Sequence, residues 1–333
     1  MPPGPGDGDR KDTHMRRTVP ASSYVAVALT VALTAIGLCA VGARSEPAAG
    51  RPLTGLASLA ARPAAHPFGG DAAGRDGIGA VAPERGVTVL AKAARADGRE
   101  ESLTVATGRD GTVTITAEGP GAERGAGATQ VRPATATAGC ADGSYTLEGF
   151  RVIRTLPFYY NPANAPANVR STALTAIRNA THAVATGANR CAITRRLNSG
   201  ATYSGATGRA AQLGAAGKCT GNDGHNVVGW GSLPSGYLAV TCIYYSDGKV
   251  LNSDVLINWN YRWFTSRPAD CSNAFDVQSV VVHEQGHTFG LGHVDAKSHR
   301  AQTMATSLAA CDISKRALGL GDYRGLAHIY GTR

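Results

Sequence analysis

The residues with the most chemistry to offer lie in His283-Glu-Gln-Gly-His-Thr-Phe-Gly-Leu-Gly-His293, which reads HExxHxxGxxH. On a helix, side chains four apart share one face and are separated by about 5.4 Å along the axis. His283 and His287 can therefore grip one metal ion. Gly290 lacks a Cβ and can leave the helix at positive φ, which turns the chain back and offers His293 as a third ligand. Three neutral imidazoles suit zinc at about 2.0–2.1 Å and leave a fourth position for water, whose pKa zinc lowers to roughly 7. Glu284, next to the first ligand, is placed to take that water's proton and pass it to a leaving amine.

A structural zinc site is the competing reading. Such sites usually fill all four positions with protein ligands, often Cys, and no Cys lies in this stretch. A non-catalytic zinc-containing surface module would keep the histidines but would not require Glu284. A zinc amidase acting on cell-wall bonds stays open, because the same groups attack any polarised carbonyl.

These residues resemble the metzincin clan of zinc endopeptidases, whose long motif carries three His ligands, a general-base Glu and a Gly at the bend. The resemblance also implies a methionine floor beneath the zinc. Gln302-Thr-Met304-Ala fits it, eleven residues past His293. Within the clan the chain looks most like the matrixins, through Gly290-Leu-Gly292 and the ending Asp322-Tyr-Arg-Gly-Leu-Ala-His-Ile-Tyr-Gly331. The resemblance covers roughly Leu156 to Gly331. It implies an α/β (α+β) fold with a twisted, mostly parallel mixed sheet, a backing helix, the zinc helix below the cleft and a closing helix near 318–331. It also implies that the strand at 236–245 is a free edge to which a peptide substrate adds as a further strand. Three departures stand out. Val294 and Asp295 follow the third His, Ala305-Thr-Ser-Leu308 replaces the Pro-x-Tyr wall of the specificity pocket, and the cysteine switch is missing.

The rest of the chain must position this site. Residues 140–333 carry 18 Lys+Arg against 11 Asp+Glu, a net of +7; residues 1–139 carry 15 against 13, a net of +2, and together they give the +9 of the whole chain. The basic excess thus belongs to the region with the motif. It suits solubility or acidic surfaces. The charges are scattered, with no aromatic–basic stripe for nucleic acid. The expected partner is a protein or peptide substrate, taken by a monomer. Six of the seven cysteines lie between Cys140 and Cys311. An even set without CxxC reads as three disulfides of an exported domain, and Cys271–Cys311 would clamp the base of the site.

From the N-terminus, a basic head (Arg10, Lys11, Arg16, Arg17) precedes the uncharged run Tyr24 to Val41. Residues 1–43 read as an export signal, with a signal anchor as the alternative. Secretion follows, or membrane attachment if the segment stays uncleaved. Residues 44–139 read as a low-complexity linker and candidate pro-segment. Within it, Gly86–Leu90, Leu103–Ala106 and Thr112–Thr116 alternate as strands, with a turn at Arg109-Asp-Gly111. The β element at 86–118 offers no thiol and no obvious zinc-seeking residue. Residues 140–333 form the expected zinc peptidase domain. A strand is expected at 151–160 and an amphipathic helix at 168–184. Further strands are expected at 226–230, 236–245 and 249–259. Asp276 is expected to cap the zinc helix, and 197–224 to form loop. His182, on the amphipathic helix, reads as structural. The Asn222-Asp-Gly-His225 and Asp247-Gly248 turns are candidates for calcium.

Overall fold

A computed structural model describes residues 78–119 and 137–333. The expected export segment at 1–43, most of the low-complexity run that follows it and the Gly-rich stretch at 120–136 lie outside the described residues. Eight strands form the main sheet: β1 (Val87–Arg95), β2 (Ser102–Thr107), β3 (Val113–Glu118), β4 (Thr155–Tyr160), β5 (Gly200–Ala206), β6 (Val227–Gly231), β7 (Tyr237–Ser246) and β8 (Lys249–Asn258). Their order is β3-β2-β1-β7-β8-β6-β4-β5. Among the described residues three helices longer than one turn accompany the sheet: α1 (Ala173–Thr186), α2 (Val277–Thr288) and α3 (Leu320–Tyr330).

The half of the sheet from β8 to β5 is parallel, as β8 pairs with β6, β6 with β4, and β4 with β5. The other half is antiparallel, through β3–β2, β2–β1, β1–β7 and β7–β8. The expectation of a mostly parallel sheet is therefore corrected. Residues 155–258 supply the parallel pairs and the antiparallel β7–β8 hairpin, and residues 87–118 add the remaining antiparallel pairs, two of them through tight turns. One such turn falls at the expected place: the Gly108 amide donates to the Thr112 carbonyl at 2.8 Å.

Two further expectations change. Residues 197–224 hold β5 and the short strand Lys218–Cys219 rather than loop alone. Gly, Ala and Ser weaken strand propensity, but the β5 backbone pairs with β4 from Thr155↔Gly200 to Tyr160↔Ala206 and the ladder overrides the local preference. The 236–245 strand, now β7, is not a free edge. The hairpin strand β1 covers its outer side in antiparallel register, from Tyr237↔Arg95 to Tyr245↔Thr88.

Helix α1 stacks Ile177, Ala180 and Val184 on the core, and α2 adds Val277, Val280 and Val281. They meet Leu156, Phe158, Trp230 and Ile257 from the sheet. Every residue of α2 except Gln278 is buried, as befits a helix enclosed on all sides. Three disulfides, Cys140–Cys191, Cys219–Cys242 and Cys271–Cys311, tie loops to this frame. The expected Cys271–Cys311 bond is among them. Thiols paired in this way fit an oxidising, extracellular setting.

Candidate metal centre

Helix α2 starts where the sequence places its cap. The Asp276 carboxylate accepts the Ser279 amide at 2.9 Å, satisfying one of the donors a helix start leaves open. Arg316 clasps the same carboxylate with two bonds of 2.6 and 2.8 Å. At the other end Gly290 takes φ +96°, and a Cβ there would collide with the Phe150 carbonyl oxygen. The chain can turn only because this residue is glycine. That turn brings His293 back to the helix.

The three imidazoles converge. His283 Nε2 lies 3.1 Å from His287 Nε2 and 3.1 Å from His293 Nε2, and the last two are 3.0 Å apart. All three residues are buried. His283 Nδ1 faces the Thr303 carbonyl at 2.9 Å and His287 Nδ1 faces the Leu291 carbonyl at 2.9 Å. A carbonyl can only accept, so in both rings Nδ1 carries the hydrogen and Nε2 presents its lone pair inward. Burial pushes His283 down to about 3, against the opposing pull of the Thr303 carbonyl. Burial also holds His287 and His293 well below the ordinary histidine range, with the neighbouring rings adding to the effect. Three neutral nitrogen donors facing one another in a buried site repel unless a cation sits between them. Their separation suits a metal with bonds of about 2.0–2.1 Å, so the donor set fits zinc. Among the described residues this is the group of His, Cys, Asp and Glu side chains assembled to hold a metal.

Met304 packs against α2: a Cβ on Gly286 would run into its sulfur, so the helix approaches the methionine through the missing side chain. The Met304 carbonyl accepts the Val294 amide at 3.0 Å, which ties it to the residue following His293. Asp322 on α3 accepts the amides of Thr303 at 2.7 Å and Met304 at 3.2 Å.

Glu284 is fully buried and turns toward the sheet rather than to solvent. Its Oε1 accepts the Ala94 amide at 3.1 Å, and its Oε2 accepts the Thr241 hydroxyl. Burial raises this carboxyl to about 8, although both hydrogen bonds favour the charged form. Ala94 belongs to β1 and Thr241 to β7, so Glu284 sits beneath the seam between those strands.

The sequence thus names the three histidines that converge, the bend at Gly290 and the neighbouring Met304, whereas Glu284 is held by Ala94 and Thr241 of the sheet. It does not name their supports. Thr303 and Leu291 act through backbone carbonyls, which no side-chain pattern reveals. Thr241 and Ala94 come from strands far away in the chain. Glu100 carries no motif either, yet its Oε1 lies 3.6 Å from His293 Nδ1. His182 is exposed on α1 and takes no part in the triad.

A buried triad of imidazoles, two on a capped helix and the third brought back by a glycine bend, fits the HExxHxxGxxH zinc-binding motif of a zinc metallopeptidase. Residues 232–331 match the family model for matrixin, and this part of the chain is matrixin-like. No curated protein matches the chain.

Proposed function

We propose that the protein is a secreted zinc endopeptidase. His283, His287 and His293 hold the ion through their Nε2 atoms, and Met304 and Gly290 shape the ground beneath it. When bound, zinc supplies a Lewis acid that acidifies water and polarises a carbonyl. Glu284 accepts the proton of the attacking water at its carboxylate and delivers it to the leaving amine. A carboxyl raised to about 8 is suited to both tasks near neutral pH. Thr241 orients that carboxylate by its hydroxyl. The single observation that carries this reading is the mutual approach of three imidazole Nε2 atoms to within 3.1 Å.

Domain limits at 44–139 and 140–333, with an exported N-terminal segment, belong to this proposal. So does latency conferred by the first of these regions, and a calcium ion near Asp223 or Asp247. The test of the reaction is digestion of a mixed protein substrate with and without a chelator. Cleavage should require the metal and be lost in Glu284→Ala. Zinc-loaded protein that cleaves nothing would favour a binding module, and hydrolysis confined to peptidoglycan fragments would favour a cell-wall amidase.

A further inference from the structure

We propose that Arg190 is a positioning residue for the metal centre, holding Thr303 so that its carbonyl stays on the His283 ring. The inference rests on the metal-binding part of the reading above.

Thr303 is the backbone support of the first imidazole, since its carbonyl faces His283 Nδ1 at 2.9 Å. A carbonyl points where the rest of its residue is fastened. The Asp322 carboxylate takes the Thr303 amide at 2.7 Å. The Thr303 hydroxyl accepts from Arg190 Nη1 at 3.3 Å and donates to the Ala317 carbonyl at 3.0 Å. With amide and hydroxyl both held, the carbonyl is confined to the direction of the ring.

The segment from Ala301 to Ala317 is mostly irregular, so its carbonyls need partners from elsewhere. Arg190 supplies them. Its Nη1 donates to the carbonyls of Ser314 at 3.0 Å and Ala317 at 2.6 Å, and its Nη2 donates to that of Ala301. One planar guanidinium thus joins the start of the segment, the Thr303 hydroxyl and the end. A rigid fork of donors suits that span, and a lysine ammonium does not. The seat is close, because a Cβ on Gly139 would run into the guanidinium. Burial works against the charge of Arg190, while Asp322 and Asp312 favour it.

Arg190 is itself anchored. Its amide donates to the Leu318 carbonyl at 3.1 Å, and Cys191 beside it is bonded to Cys140. From the other side, Gln302 Nε2 donates to the Gly139 carbonyl at 3.2 Å. The disulfide arm therefore grips the residue before Thr303 as well.

The competing view is that Arg190 serves folding alone. The carbonyl bonds stabilise the segment under either view. The Thr303 hydroxyl already has the Ala317 carbonyl to bond, so the further donor rescues no orphaned group and instead narrows the orientation of Thr303. That contact favours positioning.

The test uses the full chain, Arg190→Ala and Arg190→Lys, none of which alters a metal ligand. Zinc affinity is one readout, and the visible absorption of the cobalt(II)-loaded chain, which follows the arrangement of the ligands, is the other. Arg190→Ala should bind zinc about tenfold or more weakly, with shifted cobalt bands. Arg190→Lys should recover only part of the loss, because a point charge cannot span the acceptors. Guanidinium ion at millimolar concentration should restore Arg190→Ala, and ammonium ion should not. A folded Arg190→Ala with the parent's zinc affinity and cobalt spectrum overturns the proposal, however far its melting temperature falls. Weakened zinc binding with shifted bands, in a protein whose parent cleaves nothing, supports positioning and sinks the peptidase reading instead. If Arg190→Ala does not fold, the unaltered chain decides. Coupling between two sites is reciprocal, so zinc must tighten the contacts of Arg190. Exchange of its guanidinium protons with solvent should slow when zinc is added, and exchange that zinc leaves unchanged overturns the proposal.

Discussion

Asp322 accepts the amide of Thr303 at 2.7 Å, linking the closing helix to the surroundings of the imidazole triad. The same Thr303 turns its carbonyl to His283 Nδ1 at 2.9 Å. A carboxylate on α3 thereby fixes the tautomer of an imidazole through one intervening residue. Outer partners of this kind typically change metal affinity about 10–100-fold when removed. Asp322→Ala should therefore weaken zinc binding by about tenfold or more. It should also cost roughly 1–3 kcal/mol of stability by orphaning buried amides. Zinc titration and denaturant melts measure the two effects separately.

Gly290→Ala meets two obstacles, a positive φ and the Phe150 carbonyl in the path of the new Cβ. Conformational strain alone is worth about 1–3 kcal/mol, and the collision adds to it. Gly224 has φ +72° but nothing within 4 Å of the place a Cβ would take. Gly224→Ala should thus show the strain without the collision. A larger loss in midpoint for Gly290→Ala than for Gly224→Ala, together with weakened zinc binding, is the expected result.

Asp254 offers a pH signature away from the metal. Burial pushes its carboxyl up to about 8, against the hydrogen bond from the Val227 amide. The unfolded value is about 3.9. Between about pH 4 and 8 the native chain keeps a proton that the unfolded chain has released, so this group's contribution to stability falls as pH rises through that window. Asp254→Asn keeps an acceptor for Val227 and cannot ionise. Urea melts at about pH 5 and about pH 8 should show a smaller loss on alkalinisation for the variant, by on the order of 1 kcal/mol per pH unit at most.

The Cys271–Cys311 bridge closes a separation of 40 residues around the metal helix. Replacing both cysteines with serine should cost about 3–4 kcal/mol through the unfolded chain. Zinc affinity should stay within a few-fold, because Asp276 and Arg316 hold the start of α2 independently. Thermal melts with zinc titration check both halves of this expectation.

Much of the centre can be read from the chain because its information is local. Helical spacing places His283 and His287, a required positive φ marks Gly290, and a carboxylate before a run of valines marks Asp276 as a cap. The closing helix and the strands from 226 to 259 follow from periodicity and from likeness to the matrixins. The strand β5 does not, because its small residues carry no strand signal and its partner β4 lies some forty residues earlier. The occupancy of β7 by β1 is invisible for a related reason. Alternation shows that residues 86–90 are a strand, but register across about 150 residues is decided by tertiary fit rather than by either segment alone.

The Cys219–Cys242 bond has a bearing on how firmly the buried carboxylate of Glu284 is held. Cys242 is in the middle of β7, next to Thr241, which holds Glu284. A covalent staple at mid-length keeps that strand in alignment, so the hydroxyl facing the carboxylate keeps its place when the loops around it move.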